Sequence, residues 1–397
     1  MPNRILVLTF YYPPDLCAGS FRSGALVNAL CEKLDDDTLV DVITTMPNRY
    51  QSYQREADAV ETNGPVTVYR LPVAPHKSGF VDQARSFLSY ARRALPAARA
   101  RDYDLVYATS SRLMTAALGA VISRRKGALL YLDIRDLFTD TMHEVLAGRI
   151  SYAILPIFRA LEKFTFDSAD VINVVSPGFR EYFEKRGFGP LLRFHTNGID
   201  DEFLARDFTS RSDAGPRRRI LYAGNIGEGQ GLHRLVPGAA ELLRDTHEIV
   251  IVGDGGARDA LVDACSGLDN VRIEPPVDRE ALMSLYAAAD VLLMHLNDFQ
   301  AFRKVLPSKI FEYGATGKPI LAGVAGYAAE FTREFVENAA VFPPCDAHAM
   351  AAALAKLDTS PTPRERFIKE FARESIMSRM ATDVAEMLDS QVLQPSR

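Results

Sequence analysis

The chain has 397 residues, more than a single hydrophobic core usually serves, so two domains are expected. With 47% hydrophobic and 24% charged residues it has the composition of a soluble globular protein, and a net charge of −5 excludes a nucleic-acid binder whose whole surface is basic. Cys17, Cys31, Cys265 and Cys345 form no C-x-x-C pair and no His/Cys group has zinc spacing, which points to a reduced, cytoplasmic setting without a metal.

Read in chain order, short apolar or β-branched runs alternate with helical patterns. The first half offers strands at Arg4–Phe10, Leu39–Thr45, Val66–Leu71, Leu105–Ser110, Leu129–Ile134, Val171–Ser176 and Leu192–His195. The polar stretch Asp200–Arg219, with Gly215 and Pro216, reads as a linker. The second half offers strands at Ile220–Ala223, Glu248–Val252, Val271–Glu274, Val291–Leu296, Pro319–Gly323 and Ala340–Phe342; helices then dominate, with a final amphipathic stretch from about Arg364 to Leu388. Strands without polar alternation, separated by helices, predict parallel sheets covered on both faces. The fold class is therefore α/β, with two doubly wound, Rossmann-like halves. The first strand begins at Arg4, so no signal peptide is expected, and no apolar run reaches the ~18 residues of a membrane span.

Ligands of such sheets gather at the carboxyl ends of strands, so the strand-to-helix loops carry the candidate chemistry. The loop Tyr11–Ser20 brings Gly19 and Ser20 to a helix start, where a backbone can approach an anion. Asp136, after the strand ending at Ile134, is placed to accept a hydroxyl hydrogen bond; the structural alternative is an ion pair with Arg135 or a helix cap. Four glycines between Gly224 and Gly231 allow several amides to converge on a phosphate, with Asn225 and Gln230 among them. Gly253 and Gly255 mark a second strand–glycine–helix junction. In the segment Arg303–Gly314, Pro307 or Ser308 starts a helix that runs to about Thr316 and stops at Gly317, and Lys309 falls in its first turn. A cation there opposes the helix dipole unless an anion binds nearby. Glu312, one turn on, shares a face with Ser308 and Lys309, so phosphate and ribose of a nucleoside diphosphate suit the pair. His143 and His295 each stand alone and read as structural. The stretches Phe80–Arg101, with Arg85, Arg92, Arg93, Arg99 and Arg101, and Arg149–Phe166, with Arg149, Tyr152, Arg159 and Lys163, either rest on anionic lipid or are core-facing helices with a solvated basic side.

Taken together, these motifs resemble glycosyltransferase family 4 of the GT-B superfamily. The resemblance runs over nearly the whole chain. It rests on Pro13–Ser20, Ser176, Asn197–Asp200, Gly224–Gly231, Val252–Gly255 and Leu285–Asp290, and most specifically on Lys309–Pro319. It implies two Rossmann-like domains facing a central cleft: residues 1–205 with a returning helix at about 376–397 for the acceptor, and 216–375 for the donor. It further implies retaining transfer from a nucleotide diphosphate sugar, UDP-sugar favoured, without metal or cofactor, since the nucleotide sugar is itself a substrate. In this family a glutamate matching Glu312 binds the ribose, and the glycine loop matching Gly19 approaches donor phosphates or sugar. The chain departs from the pattern at three places: Lys304 stands where the family often has a sugar-contacting glutamate, and Asn225 and Gln230 stand where it has a phosphate-binding arginine and lysine. Lys304 and Lys309 are expected to restore the charge, with Asp136 orienting the acceptor. Members that build bacterial surface polysaccharide on a polyprenyl-diphosphate lipid, including N-acetylfucosaminyl transferases, are similar. The expected partners are therefore the donor, a lipid-linked or glycan acceptor and the anionic inner face of the plasma membrane. A nucleotide-sugar isomerase and a non-catalytic partner of another transferase are the alternatives from other classes.

Overall fold

A computed structural model describes residues 2–15, 17–35, 37–48, 57–73, 80–110, 113–140, 149–208 and 216–392. Leu16, His143 and Gly215 lie outside the described residues, as do the side chains of Phe80, Arg149 and Tyr152. The chain divides into two compact units, Met1–Asn197 with Arg373–Arg397, and Gly198–Ala372.

The first unit is built on an eight-stranded sheet in the order β3-β4-β2-β1-β5-β6-β7-β8. Its strands are β1 (Arg4–Leu8), β2 (Leu39–Thr45), β3 (Val60–Asn63), β4 (Val66–Leu71), β5 (Leu105–Ser110), β6 (Leu129–Ile134), β7 (Val171–Val174) and β8 (Leu191–Arg193). All pairings are parallel except that of β3 with β4. The sequence pattern missed β3 because its residues, Val-Glu-Thr-Asn, are exposed and carry no alternation. Gly64, at φ 56°, turns the chain between β3 and β4. β1 and β5 are buried along almost their whole length, which is why they read as continuous apolar runs.

The second unit has an all-parallel sheet in the order β11-β10-β9-β12-β13-β14. Its strands are β9 (Arg218–Ala223), β10 (His247–Val252), β11 (Val271–Glu274), β12 (Val291–His295), β13 (Ile320–Gly323) and β14 (Ala339–Phe342). Ile220, Leu235, Val236, Ile249, Ile251, Val291, Leu293 and Leu321 form its core. Burying one such side chain contributes about 1.5–3 kcal/mol. A second apolar cluster joins Phe311, Phe331, Phe335, Phe367 and Phe371.

Two regions are more structured in detail than the sequence pattern shows. The final amphipathic stretch forms two helices, Glu365–Phe371 and Arg373–Val392, broken at Ala372, whose ψ of 133° is extended. The break lets the last helix pack along the Ala18–Lys33 helix of the first unit. Much of the expected linker is ordered structure of the second unit: Asp201–Leu204 is helical, and Phe203 is buried and stacked at 6.0 Å on Tyr286.

Candidate active site

In the second unit the strand order reverses between β9 and β12, and the loops leaving such strands frame the ligand crevice of an open α/β sheet. Gly224, at φ 149°, follows β9 directly, and Gly253, at φ 152°, follows β10. The two junctions run side by side. A Cβ on Gly253 would strike the Gly224 carbonyl, and one on Gly255 would sit 2.5 Å from the Ile226 carbonyl.

The expectation that these glycines aim free amides at a phosphate is corrected by their hydrogen bonds. Gly224 donates to the Val252 carbonyl at 2.8 Å, Gly253 to Glu274 at 3.0 Å and Gly231 to Glu228 at 3.1 Å. Gly227 donates to Gln230 Oε1 at 3.1 Å, and Gly255 to Asp254 Oδ1 at 2.8 Å. The loop curls into a 3-10 turn over Glu228–Gln230, and the amides of Gly224, Gly227, Gly231, Gly253 and Gly255 are engaged within the unit, so these five glycines serve close packing. Asn225 and Gln230 belong to the same closure, with Asn225 Nδ2 donating to Gln230 Oε1 at 2.7 Å.

Lys309 reaches this loop. It opens the Lys309–Ala315 helix, and its Nζ lies where a Cβ on Gly224 would be, 5.6 Å from the Tyr222 ring centroid. Among the described residues no hydrogen bond or ion pair reaches Nζ. Burial holds the ammonium pKa below its ordinary value; Glu312 pulls it up and Arg279 pushes it down. Ser308, at the N-cap position, is exposed and makes no side-chain cap bond, so the helix start is not otherwise satisfied by its own cap. Thr316 closes the helix, and Gly317, at φ 70°, turns the chain away, as the sequence predicts.

Glu312 sits one turn beyond Lys309, but its carboxylate is held elsewhere. Tyr286 donates to it at 3.1 Å, and Arg279 Nη1 lies 3.6 Å away. Arg279 also pairs with Asp200 at 2.9 Å and Glu202 at 2.8 Å and lies over Phe203. Sequence reasoning missed this network because its members lie on separate elements. Lys304 ends the 3-10 segment Gln300–Lys304 and is half-buried.

His295 is structural, as read from the sequence. Its Nδ1 is 2.5 Å from the Gln230 carbonyl, and its Nε2 accepts from Cys345 N–H at 2.8 Å, so the ring bridges as the neutral form. Burial pulls its pKa down to about 4, against a smaller upward pull from the Gln230 bond. Asn297 adds a clamp on the glycine loop, donating Nδ2–H to the Glu228 carbonyl at 2.8 Å and its backbone N–H to the Gly229 carbonyl at 2.9 Å.

In the first unit, Gly19 lies in the first turn of the Ala18–Lys33 helix, and a Cβ there would be 2.5 Å from Arg135 Nη1. Ser20 is fully buried beside it. Asp136 is half-buried in the loop after β6. The alternative pairing of Arg135 with Asp136 is not formed. The acidic partner of this region is Asp133, and Arg22 takes it: Nε and Nη2 reach its two oxygens at 2.8 and 2.9 Å. Thr109 and Asn173 complete its shell at 2.9 and 2.8 Å. Burial would raise the Asp133 pKa, but Arg22, the Asn173 bond and the charge of nearby Arg135 hold it at about 2. Among the described residues no group of three His, Cys, Asp or Glu side chains converges on a metal position. No described helix is long and apolar enough to cross a membrane.

Comparison with known proteins matches both units. Residues 23–198 match the family model for a glycosyl transferase 4-like domain, and residues 206–374 that for glycosyl transferases group 1. WcaI of Escherichia coli (strain K12), named for glycosyl transfer in colanic acid biosynthesis, is 26% identical over 369 residues, covering 86% of each chain. Sucrose-phosphate synthase from Thermosynechococcus elongatus superposes with a TM-score of 0.74 at 17% identity, over 98% of this chain and 100% of the other. HepE of Anabaena, solved in complex with UDP, superposes with a TM-score of 0.63 at 16% identity, over 96% of this chain and 100% of the other. With a glycosyl transferase model matching each unit and GT-B enzymes sharing its architecture, the chain belongs to the glycosyltransferases of the GT-B type.

Proposed function

We propose that the chain is a retaining transferase that moves a sugar from a nucleotide diphosphate sugar, with UDP as the favoured nucleotide, to a glycan or lipid-linked acceptor in surface-polysaccharide assembly. One observation carries the donor half of this reading. The Lys309 ammonium lies against Gly224, at the reversal of the second unit's sheet, and among the described residues no ion pair reaches it, Glu312 acting on it only through space. A diphosphate supplies a direct counter-ion. The neighbouring HepE structure holds UDP, and the WcaI relative is named for colanic acid biosynthesis, which favours this donor and this class of product.

In the reaction, the bond from the sugar's anomeric carbon to the diphosphate breaks and one to the acceptor hydroxyl forms on the same face. The acceptor proton passes to the departing diphosphate oxygen. Lys309, with Lys304, stabilises the charge that grows on the leaving group. Glu312, already oriented by Tyr286, accepts from the ribose hydroxyls. Asp136 orients the acceptor hydroxyl. The side chains supply the charge stabilisation, so we infer that neither metal nor cofactor is needed. An N-acetylated amino sugar such as N-acetylfucosamine is the sugar class the sequence favours. The exposed Arg85, Arg92 and Arg93, beside Leu88 at 51% exposure, suit peripheral contact with the anionic inner face of the plasma membrane.

The test is nucleotide release. Purified protein is incubated with a panel of UDP-, GDP- and dTDP-sugars, and free nucleotide is measured with and without polyprenyl-diphosphate sugars. Slow UDP release without acceptor, accelerated by one acceptor, is expected. Release from no donor in the panel refutes the reading.

A further inference from the structure

The first unit holds a cavity of about 340 Å³ at the reversal point of its own sheet, where β1 and β5 end side by side. Its walls are mostly apolar: Phe10, Phe87, Leu88, Met114 and the edge-to-face pair Phe138 and Phe158. Two polar groups line it without partners. Ser86, 1% exposed, has no hydrogen-bond partner for its hydroxyl, and Arg135 has none for Nε. Among the described residues no ion pair reaches Arg135, because the nearby Asp133 has both oxygens occupied by Arg22, Thr109 and Asn173.

Arg135 is half-buried with its Nε sealed from solvent, and a guanidinium so placed against an apolar wall is stabilised when an anion meets it. Gly19 keeps the space at Arg135 Nη1 open. It also brings to the cavity the start of a 16-residue helix that has no side-chain cap and no acidic residue in its first turn, so the local field adds to the pull on an anion. The site therefore asks for a multiply charged oxyanion attached to an apolar body, and this combination distinguishes a phosphate ester from a neutral sugar.

We propose that this cavity binds an amphiphilic phosphate ester, its phosphate oxygens on Arg135 and the Ser86 hydroxyl and its apolar body among the phenylalanines. In the glycosyltransferase reading, on which this role rests, the ligand is the charged part of the acceptor. The binding itself does not depend on that reading.

The test is calorimetric titration of the full chain with octyl phosphate, octanol and inorganic phosphate, each also run against Arg135→Gln, with UDP titrated into the same samples. Octyl phosphate is expected to bind the wild type and to bind Arg135→Gln at least tenfold more weakly, whereas UDP binds both equally. Equal octyl phosphate affinity for wild type and variant overturns the proposal. So does octanol binding the wild type as tightly as octyl phosphate, which makes the cavity purely apolar. Inorganic phosphate binding as tightly as octyl phosphate overturns the amphiphile and leaves a free-phosphate site. If Arg135→Gln fails to fold, the three wild-type titrations decide alone. Absence of UDP binding with the expected octyl phosphate pattern sinks the donor reading and supports this one.

Discussion

Lys309→Met separates a ligand-binding cation from a structural one. In the empty protein, Nζ makes no hydrogen bond or ion pair among the described residues; it is favoured by the Tyr222 ring at 5.6 Å and, through space, by the Glu312 carboxylate, which also feels Arg279. The ring contact is worth about 0.5–2 kcal/mol, and the helix dipole opposes it by about 0.3–1 kcal/mol. Desolvation of the ammonium adds to the opposing side. Methionine keeps the apolar stem, so the melting temperature of the empty variant is expected to equal or exceed that of the wild type. With nucleotide bound, a charge-assisted contact of about 1.5–3 kcal/mol is lost, which weakens UDP by roughly 10- to 150-fold. Turnover at saturating donor falls further, by about 10²–10³, because the charge grows as the bond breaks. The assay pairs UDP titration by calorimetry with thermal melting of the empty protein. Unchanged UDP affinity together with a lower melting temperature refutes the reasoning.

Glu312→Gln is expected to weaken UDP binding about tenfold or more with little change in melting temperature, because Arg279 keeps Asp200 and Glu202; a large drop in stability with full UDP affinity makes Glu312 a structural partner of Arg279. Asp133→Asn leaves Arg22 buried without its counter-charge and is expected to cost about 3–5 kcal/mol, read by urea unfolding of the first unit. Because the Asp133 pKa is lowered to about 2 from 3.8, its contribution of roughly 2 kcal/mol is complete above the unfolded value and lost as pH falls through the folded one; stability profiles of wild type and variant that stay parallel from pH 5 to about pH 2 argue against this. EDTA is expected to leave transfer intact, and a complete loss that Mg²⁺ or Mn²⁺ restores refutes metal independence. Replacing Arg85, Arg92 and Arg93 with Gln is expected to release the protein from anionic vesicles at low salt; equal binding by both proteins gives these arginines no membrane role.

The sheets were legible because β1, β5, β6, β9 and β10 are apolar on both faces, and that pattern survives in one dimension. β3 was not, since its exposed polar residues pair only through backbone bonds to β4. At the site, the isolation of Lys309 in a helix's first turn was visible as a conflict between charge and dipole. The engagement of the glycine amides was not visible, because glycine spacing tells where a loop is permissive and not where its donors point. The surroundings of Arg135 were not legible for a related reason. Its neighbour Asp136 offered a pairing by adjacency, whereas Asp133 is satisfied by Arg22, 111 positions away. An aspartate inside the apolar run Leu-Leu-Tyr-Leu-Asp-Ile was the one available hint that a distant cation had to be buried with it.

The return of the Arg373–Val392 helix to the first unit bears on how the chain assembles during synthesis. Ile376, Met377, Met380, Ala381, Val384 and Leu388 of this helix are buried, and Asp383 pairs with Arg193 at 3.1 Å and with His195 at 2.6 Å. The first unit thus has its final packing layer encoded last, whereas the second unit is one uninterrupted segment. A ribosome emits chain ends in order, and a unit generally folds once all of it has emerged. The inserted unit is therefore the one able to mature first. The earlier-made sheet waits with the face of the Ala18–Lys33 helix uncovered, a surface for chaperones to guard until the Arg373–Val392 helix appears.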